Sequence, residues 1–257
     1  MLSQSTLESQ KFVNLVSRKN LGLVVFTDVV SGCLDSSSAF HVDDNLSEAL
    51  RALSADGVST VFISGGNHER FSRFSDMSGF VSLANYGLSL QDKTGVHVLK
   101  QAQPYKEIME ELFDRLSLWL PISIGIKNSG VSLALDYGGI PDHVKAKNGL
   151  NRLLEEAECL DRFNVVNHGR IMHVLPPVSL KSTVLLAQLQ ERFHFDGLVL
   201  FGLNLLDDLL SFGSMEPRYS QPDISNQGIE LMAFDPSLSI LRTVTNAISD
   251  IRLSIKE

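Results

Sequence analysis

Hydrophobic and polar positions fall into blocks of two alternating periods. Residues 21–30 (LGLVVFTDVV) form a short apolar run rich in β-branched side chains and bounded by Asn20 and Ser31-Gly32. That is the pattern of a strand buried on both faces. Leu46, Ala49, Leu50 and Leu53 then recur at helical spacing behind Asn45 as N-cap, with Glu48 three residues on and Gly57 at the exit. The spacing predicts a helix. Residues 58–64 (VSTVFIS) read as a second strand, so 21–64 form a strand, helix, strand unit whose crossover implies parallel pairing. Residues 80–84 add a third strand.

After Tyr86-Gly87 the grammar changes. Pro104 opens a predicted helix with Ile108, Met109, Leu112, Leu116 and Trp119 on one face, read as core packing. PISIGIK and VSLALDY meet at Asn128-Ser129-Gly130 as an antiparallel pair, and a second helix covers about 142–159. FNVV and RIMHVL then flank Asn167-His168-Gly169 as another hairpin. Beyond Pro176-Pro177, a helix presenting Leu185, Leu186, Leu189 and Phe193 leads into the apolar strand 198–201, which restores the parallel grammar. Residues 229–234 supply a late strand and 236–255 a closing helix, with the polar stretch 214–227 as a loop. The expected organisation is a core over 1–103 and 176–257 and an inserted α+β segment over 104–175.

Composition narrows the classes. With 257 residues, 44% hydrophobic and 20% charged, the chain is globular in character. The net charge of −8 provides no cationic field for a phosphate backbone, so no nucleic acid partner is expected. Two distant cysteines, Cys33 and Cys159, fit neither a disulfide framework nor a zinc site and point to a reducing, cytoplasmic setting. No run approaches eighteen apolar residues, and the first twenty lack the apolar stretch of a secretory signal, so no membrane association is expected.

In an open parallel sheet, ligands bind beyond the carboxyl ends of the strands, where strand order reverses. Four exits carry candidate chemistry: Asp28, Ser64-Gly65-Gly66, Asn85-Tyr86-Gly87, and 202–208 (GLNLLDD). The pieces FTDVVSGCL, FISGGNHERF, LANYGLSL, PPVSLKSTVLLAQL and LFGLNLLDDLL, in this order, resemble the haloacid dehalogenase-like phosphohydrolases, specifically the trehalose-6-phosphate phosphatases. The resemblance spans nearly the whole chain. It implies an α/β fold: a haloacid dehalogenase-like (HAD-like) doubly wound parallel sheet, Rossmann-like, with an inserted α+β cap domain.

Family members end the first strand in Asp-x-Asp-Gly-Thr and the second in Ser-Gly-Arg. They carry a Glu-His-Gly segment, a lysine opening a helix, and an acidic Gly-Asp-Asp-x-Thr-Asp-Glu loop. The resemblance implies Asp28 as the nucleophile that forms an aspartyl-phosphate, with Ser64, Gly65 and Lys181 on the phosphate and Asp28, Asn204 and Asp207 on Mg²⁺. Several motif side chains are exchanged. A gap-free alignment puts Val30 at the acid/base position, and a one-residue slide puts Val29 and Ser31 at the pair. A valine transfers no proton, and losing positioned acid/base help costs about 10²–10⁴ in rate. The motif arginine is Gly66, the first two loop acids are Leu203 and Asn204, and Asp207 and Asp208 keep the final pair. With a leucine in its shell, Mg²⁺ should bind weakly or not at all. The sugar-recognising cap pattern falls on Lys127, Ser129, Asp136, Gly138 and His173, and none of it is kept.

Ordinary structural roles stand beside these. Asp28 can cap its turn, Ser64 and Gly65 can be the N-cap and tight turn of a connection, and Asp207 and Asp208 can favour a helix start. Lys181 in a first helical turn runs against the dipole, which points to function. His168 and His173 lack acidic or thiol company and read as surface hairpin residues. Three functions remain open: a pseudophosphatase that binds a sugar phosphate or a protein partner of trehalose metabolism, an active Mg²⁺-dependent sugar-phosphate phosphatase built on Asp28, and a structural module of a trehalose-synthesis assembly.

Overall fold

The computed structural model describes residues 4–27, 43–178, 182–202, 230–234 and 238–256. Strand β1 (Leu21–Phe26) lies third in a seven-stranded sheet. On one side it pairs in parallel with β2 (Ser59–Ile63), which pairs in parallel with β3 (Phe80–Ala84). On the other it pairs in parallel with β10 (Gly197–Phe201), followed by β11 (Glu230–Phe234). The order β11-β10-β1-β2-β3-β4-β5 therefore reverses direction at β1, which sets the switch point of the sheet there.

All six residues of β1 are buried, as its unbroken apolar run requires. Leu21, Leu23 and Val25 point to one face and meet α1 (Gln4–Val16), α2 (Asp44–Ala55) and α6 (Leu238–Lys256) through Leu15, Leu50 and Leu241. Val24 and Phe26 point to the other face and meet α5 (Ser182–Phe193) through Leu185, Leu186 and Leu189. Helices thus cover both faces, and the doubly wound α/β reading holds.

The outer strands differ from the expectation of a parallel sheet alone. β4 (Ser89–Asp92) and β5 (Gly95–Val98) add an antiparallel hairpin beyond β3. Its alternation is too short and too exposed to stand out in sequence. Arg192 at the end of α5 holds it with bonds of 2.9 and 2.6 Å to the Asp92 carboxylate. Helix α1 was not expected either, because its apolar residues are sparse. The cap of α2 is Asp43, whose side chain accepts from the Leu46 N–H at 2.8 Å, so Asn45 lies inside the helix rather than before it.

Residues 106–175 build a second, four-stranded antiparallel sheet in the order β6-β7-β9-β8. Its strands are β6 (Gly125–Asn128), β7 (Leu133–Asp136), β8 (Asn164–His168) and β9 (Ile171–Leu175). Helices α3 (Lys106–Trp119) and α4 (His143–Glu156) pack on it through Met109, Leu112, Leu116, Leu150 and Leu154, a hydrophobic cluster separate from the two of the large sheet. Pro104 sits in a 3-10 turn just ahead of α3 rather than at its first position. Trp119, expected in the core, is the last residue of α3 and is half-exposed, with the Arg115 guanidinium over its ring at 5.7 Å. Asn167 and His168 lie within β8, so that hairpin turns one step later than its sequence suggests.

Between β2 and β3 the chain forms a 3-10 helix, His68–Phe74, in place of a full α-helix. It is anchored by Phe62, whose ring lies 5.4, 5.2 and 5.5 Å from those of Phe71, Phe74 and Phe80. Phe62→Ala should destabilise the chain by about 3–5 kcal/mol, since it removes the hub of that cluster and leaves a cavity. Urea unfolding of the variant beside the parent chain measures the loss.

Candidate functional site

The registers bring three strand exits to one level. Val25 of β1 pairs with Phe201, and Phe26 pairs with Ile63, so Thr27, Ser64 and Gly202 all follow at the same end of the sheet. Thr27 is buried and donates to the Ile63 carbonyl twice, from its N–H at 2.9 Å and its hydroxyl at 3.1 Å. The exit of β2 is stitched to that of β3. The Ser64 N–H donates to Leu83 O at 2.9 Å, Asn85 N–H to Gly66 O at 2.8 Å, and Tyr86 N–H to Ser64 O at 2.8 Å.

Asn85 and Tyr86 both take the left-handed conformation, at φ 54° and 56°. Asparagine visits that region readily, whereas a tyrosine there is held by its surroundings. The Tyr86 side chain is fully buried. Its ring lies 6.4 Å from Phe26 and meets His173 edge-on at 5.2 Å. The phenol also crosses the α-carbon of Gly65 so closely that a Cβ there would stand 2.3 Å from Cζ. Only glycine fits at that position. Gly65 is thus required at this turn for close approach, and the structure brings it together with Ser64.

Ser64 is completely buried, and its hydroxyl oxygen accepts from the Gly66 N–H at 2.9 Å and from Arg70 Nη1 at 2.5 Å. Arg70 comes from the 3-10 helix and was not among the sequence candidates. The available signal was a guanidinium six residues beyond Ser64 behind two glycines, in a stretch whose helical type the sequence pattern did not reveal. Asp28, Lys181, Asn204 and Asp207 lie outside the described residues. Among the described residues no three His, Cys, Asp or Glu side chains cluster as a metal ion would need.

A buried polar chain crosses from this site into the second sheet. His68 Nδ1 and Nε2 lie 2.7 and 3.0 Å from the hydroxyls of Ser82 and Ser89. Asn85 Nδ2 donates to Ser89 Oγ at 3.1 Å, and Ser132 Oγ donates to Asn85 Oδ1 at 2.9 Å. Lys127, one of the positions in the cap pattern, forms an exposed ion pair with Glu69 at 2.9 Å. Asp136 accepts from the Gly138 N–H at 2.8 Å, closing a turn. His173 corrects the surface reading: it is buried, because β9 carries it directly over Tyr86.

Neither a protein-family model nor a curated protein matches this chain. Solved structures do. A trehalose-6-phosphate phosphatase related protein superposes with TM-score 0.65 at 10% identity, covering 91% of this chain and 99% of its own. The chain has the haloacid dehalogenase-like fold. The C-terminal domain of the C. albicans trehalose-6-phosphate phosphatase gives TM-score 0.64 at 13% identity, over 96% and 97% of the two chains. The Plasmodium falciparum IMP-nucleotidase gives 0.55 at 11% identity, over 95% of this chain and 65% of its own. In this chain β1 and its two parallel neighbours stand as the sequence order required.

Two outcomes follow from the site geometry. Gly65→Ala should cost about 1–3 kcal/mol through overpacking against the Tyr86 ring, and less in a Tyr86→Leu background. Thermal melts of the single and double variants give the coupling. Burial pushes the His68 imidazole down from 6.5 to about 4, so it stays neutral where the unfolded chain already takes up a proton. The stability it preserves is fully present above 6.5 and is lost as pH falls towards about 4. Unfolding free energies measured across that range should show a shallower pH slope in His68→Gln than in the parent chain.

Proposed function

We propose that this chain is a trehalose-6-phosphate phosphatase-like protein that binds a phosphate-bearing metabolite at the exits of β1 and β2 and turns it over poorly or not at all. The observation that carries the reading is the placement of Ser64. Its buried hydroxyl sits at the carboxyl end of β2, one strand from the switch point, with a backbone N–H and a guanidinium converging on it. In an open parallel sheet this is the end at which ligands bind.

The missing chemistry supports binding over turnover. Val30 or Ser31 stands where an aspartic acid would protonate a leaving sugar oxygen. Without that proton the alkoxide must leave charged, at a cost of about 10²–10⁴ in rate. The Mg²⁺ that such phosphatases use would supply a second neutralising charge. Its donors in this chain would be Asp28, Asn204 and Asp207, grouped with Val30 and Leu203. Magnesium demands six oxygens in near-ideal octahedral array, and this set does not fit it.

In this reading 104–175 serve as a cap over a core of 1–103 and 176–257. Val131, Val166 and Leu175 join the hydrophobic cluster of the large sheet, so the two sheets are packed against each other. A partner-binding role gains support from Leu118, Trp119 and Ile122, which are exposed at and just beyond the end of α3. The cytoplasmic setting rests on cysteine usage: Cys159 is buried and free, and burial pushes its thiol pKa up. Among the described residues no helix is long and apolar enough to cross a membrane.

Phosphate release from a panel of sugar phosphates, trehalose 6-phosphate included, should stay at the blank rate with and without Mg²⁺. Calorimetric titration should show no tight Mg²⁺ binding. Magnesium-dependent turnover that disappears in Asp28→Asn would establish the alternative, an active phosphatase built on that carboxylate.

A further inference from the structure

Beyond β3, the large sheet carries a cavity set apart from the strand exits. Ser82 pairs with Gln91 and Gln91 with Val96, so these three side chains share one face with Phe80, two residues before Ser82. His68 of the 3-10 helix lies over the same face, since its two ring nitrogens reach the hydroxyls of Ser82 and Ser89. Between that helix, β3 and the β4–β5 hairpin lies a cavity of about 530 Å³, a size that suits a small molecule. None of the described residues at the exits of β1, β2 and β10 lines it. Phe80 and Met77, both buried, give it an apolar wall, and Val96, 58% exposed, stands on the side open to solvent.

The polar groups along this cavity are mostly neutral or already paired. Burial pushes the His68 imidazole down to about 4, so it meets the cavity as an uncharged ring. The Glu69 carboxylate pairs with Lys127 at 2.9 Å, and that of Asp92 with Arg192 at 2.6 Å. Lys93 lies on the exposed turn of the hairpin, where solvent screens its charge. Gln91 differs from all of these: its half-buried carboxamide makes no hydrogen bond among the described residues. We propose that this cavity binds an uncharged, planar aromatic molecule with an amide-like edge, its ring system against Phe80, Met77 and the His68 imidazole and its N–H and C=O paired with the Gln91 carboxamide. Aromatic rings gain from edge-on and offset contacts beyond the area they bury, and a thioether packs well against them. A carboxamide carries a donor and an acceptor side by side, so it makes two bonds with an edge that offers the complementary pair. A charged ligand would give up its hydration here with no free counter-ion inside the cavity.

The test is an NMR titration of the full chain with benzamide, which is the smallest probe that has both the ring and the edge. The Met77 methyl and His68 imidazole signals should shift along one saturable curve, while the Trp119 indole signal, on the second sheet, stays in place. Benzoate, the same ring with a charge, should bind about tenfold more weakly or not at all. Gln91→Leu keeps the volume and removes the amide. It should weaken benzamide about tenfold, as expected for two lost neutral hydrogen bonds, and leave the affinity for toluene unchanged. Val96→Trp places a large ring at an exposed edge position, and should close the cavity and abolish the binding of both probes. Each variant is checked by its melting curve, and if Gln91→Leu fails to fold, Val96→Trp and the comparison of benzamide with benzoate still decide the matter. The inference is overturned by the lack of a saturable shift at Met77, by benzoate binding as tightly as benzamide, or by benzamide affinity unchanged in either variant. A probe that moves the Trp119 signal in place of Met77 occupies the groove beside α3 and overturns it as well.

Discussion

A phenol ring pressed on a bare α-carbon governs this end of the molecule. Tyr86 can lie across Gly65 only because no Cβ intervenes, and from that contact the two loops beyond β2 and β3 take their relative position. The backbone bonds from Asn85 to Gly66 and from Tyr86 to Ser64 then hold the loops together. The left-handed backbone at 85 and 86 is the cost of turning the ring inward, and burial of the whole side chain offsets it. His173 completes the stack from the second sheet. The same residues that join the two sheets also fix the walls of the crevice, so packing and site geometry are one arrangement.

In the proposed reading, the crevice that results has recognition without the means to finish a reaction. Hydrogen-bond donors converge at Ser64, whereas the sequence at the β1 exit and in the loop after β10 offers valine and leucine at positions where phosphoryl transfer needs carboxylates. Positioned donors are sufficient to hold an anion. Chemistry needs a proton source and a neutralising cation as well, and those depend on other side chains.

Much of the fold was legible because buried parallel strands are largely apolar: β1 and β10 appear as continuous runs, β2 and β3 as runs broken only by small hydroxyl residues such as Thr60 and Ser82, and their order places the switch point at β1. The helices that pack one broad face, α2, α3 and α5, were legible by period. Elements with weak patterns were not. Helix α1 has few apolar positions, β5 is mostly exposed, and the His68–Phe74 segment follows a period of three that the search for a 3.6 period passes over. Ser64 and Gly65 stand out in the sequence through their place after a strand. The contacts of Arg70 and His173 do not, since each is made to a neighbour the pattern does not reveal: Ser64 across a 3-10 turn, Tyr86 across two sheets.

The pairing of β1 with β10 has a consequence in time. Leu21 lies beside Gly197, and the whole second sheet is encoded between them. On a ribosome adding about 5–20 residues per second, β1, β2 and β3 are complete for roughly ten seconds before β10 is made. Through that interval the nascent sheet shows one flank of β1 to the surrounding solvent, unzipped and ready to recruit any other extended chain. A holding chaperone that shields residues 21–26 until translation passes residue 201 would suit this architecture better than one that acts after release.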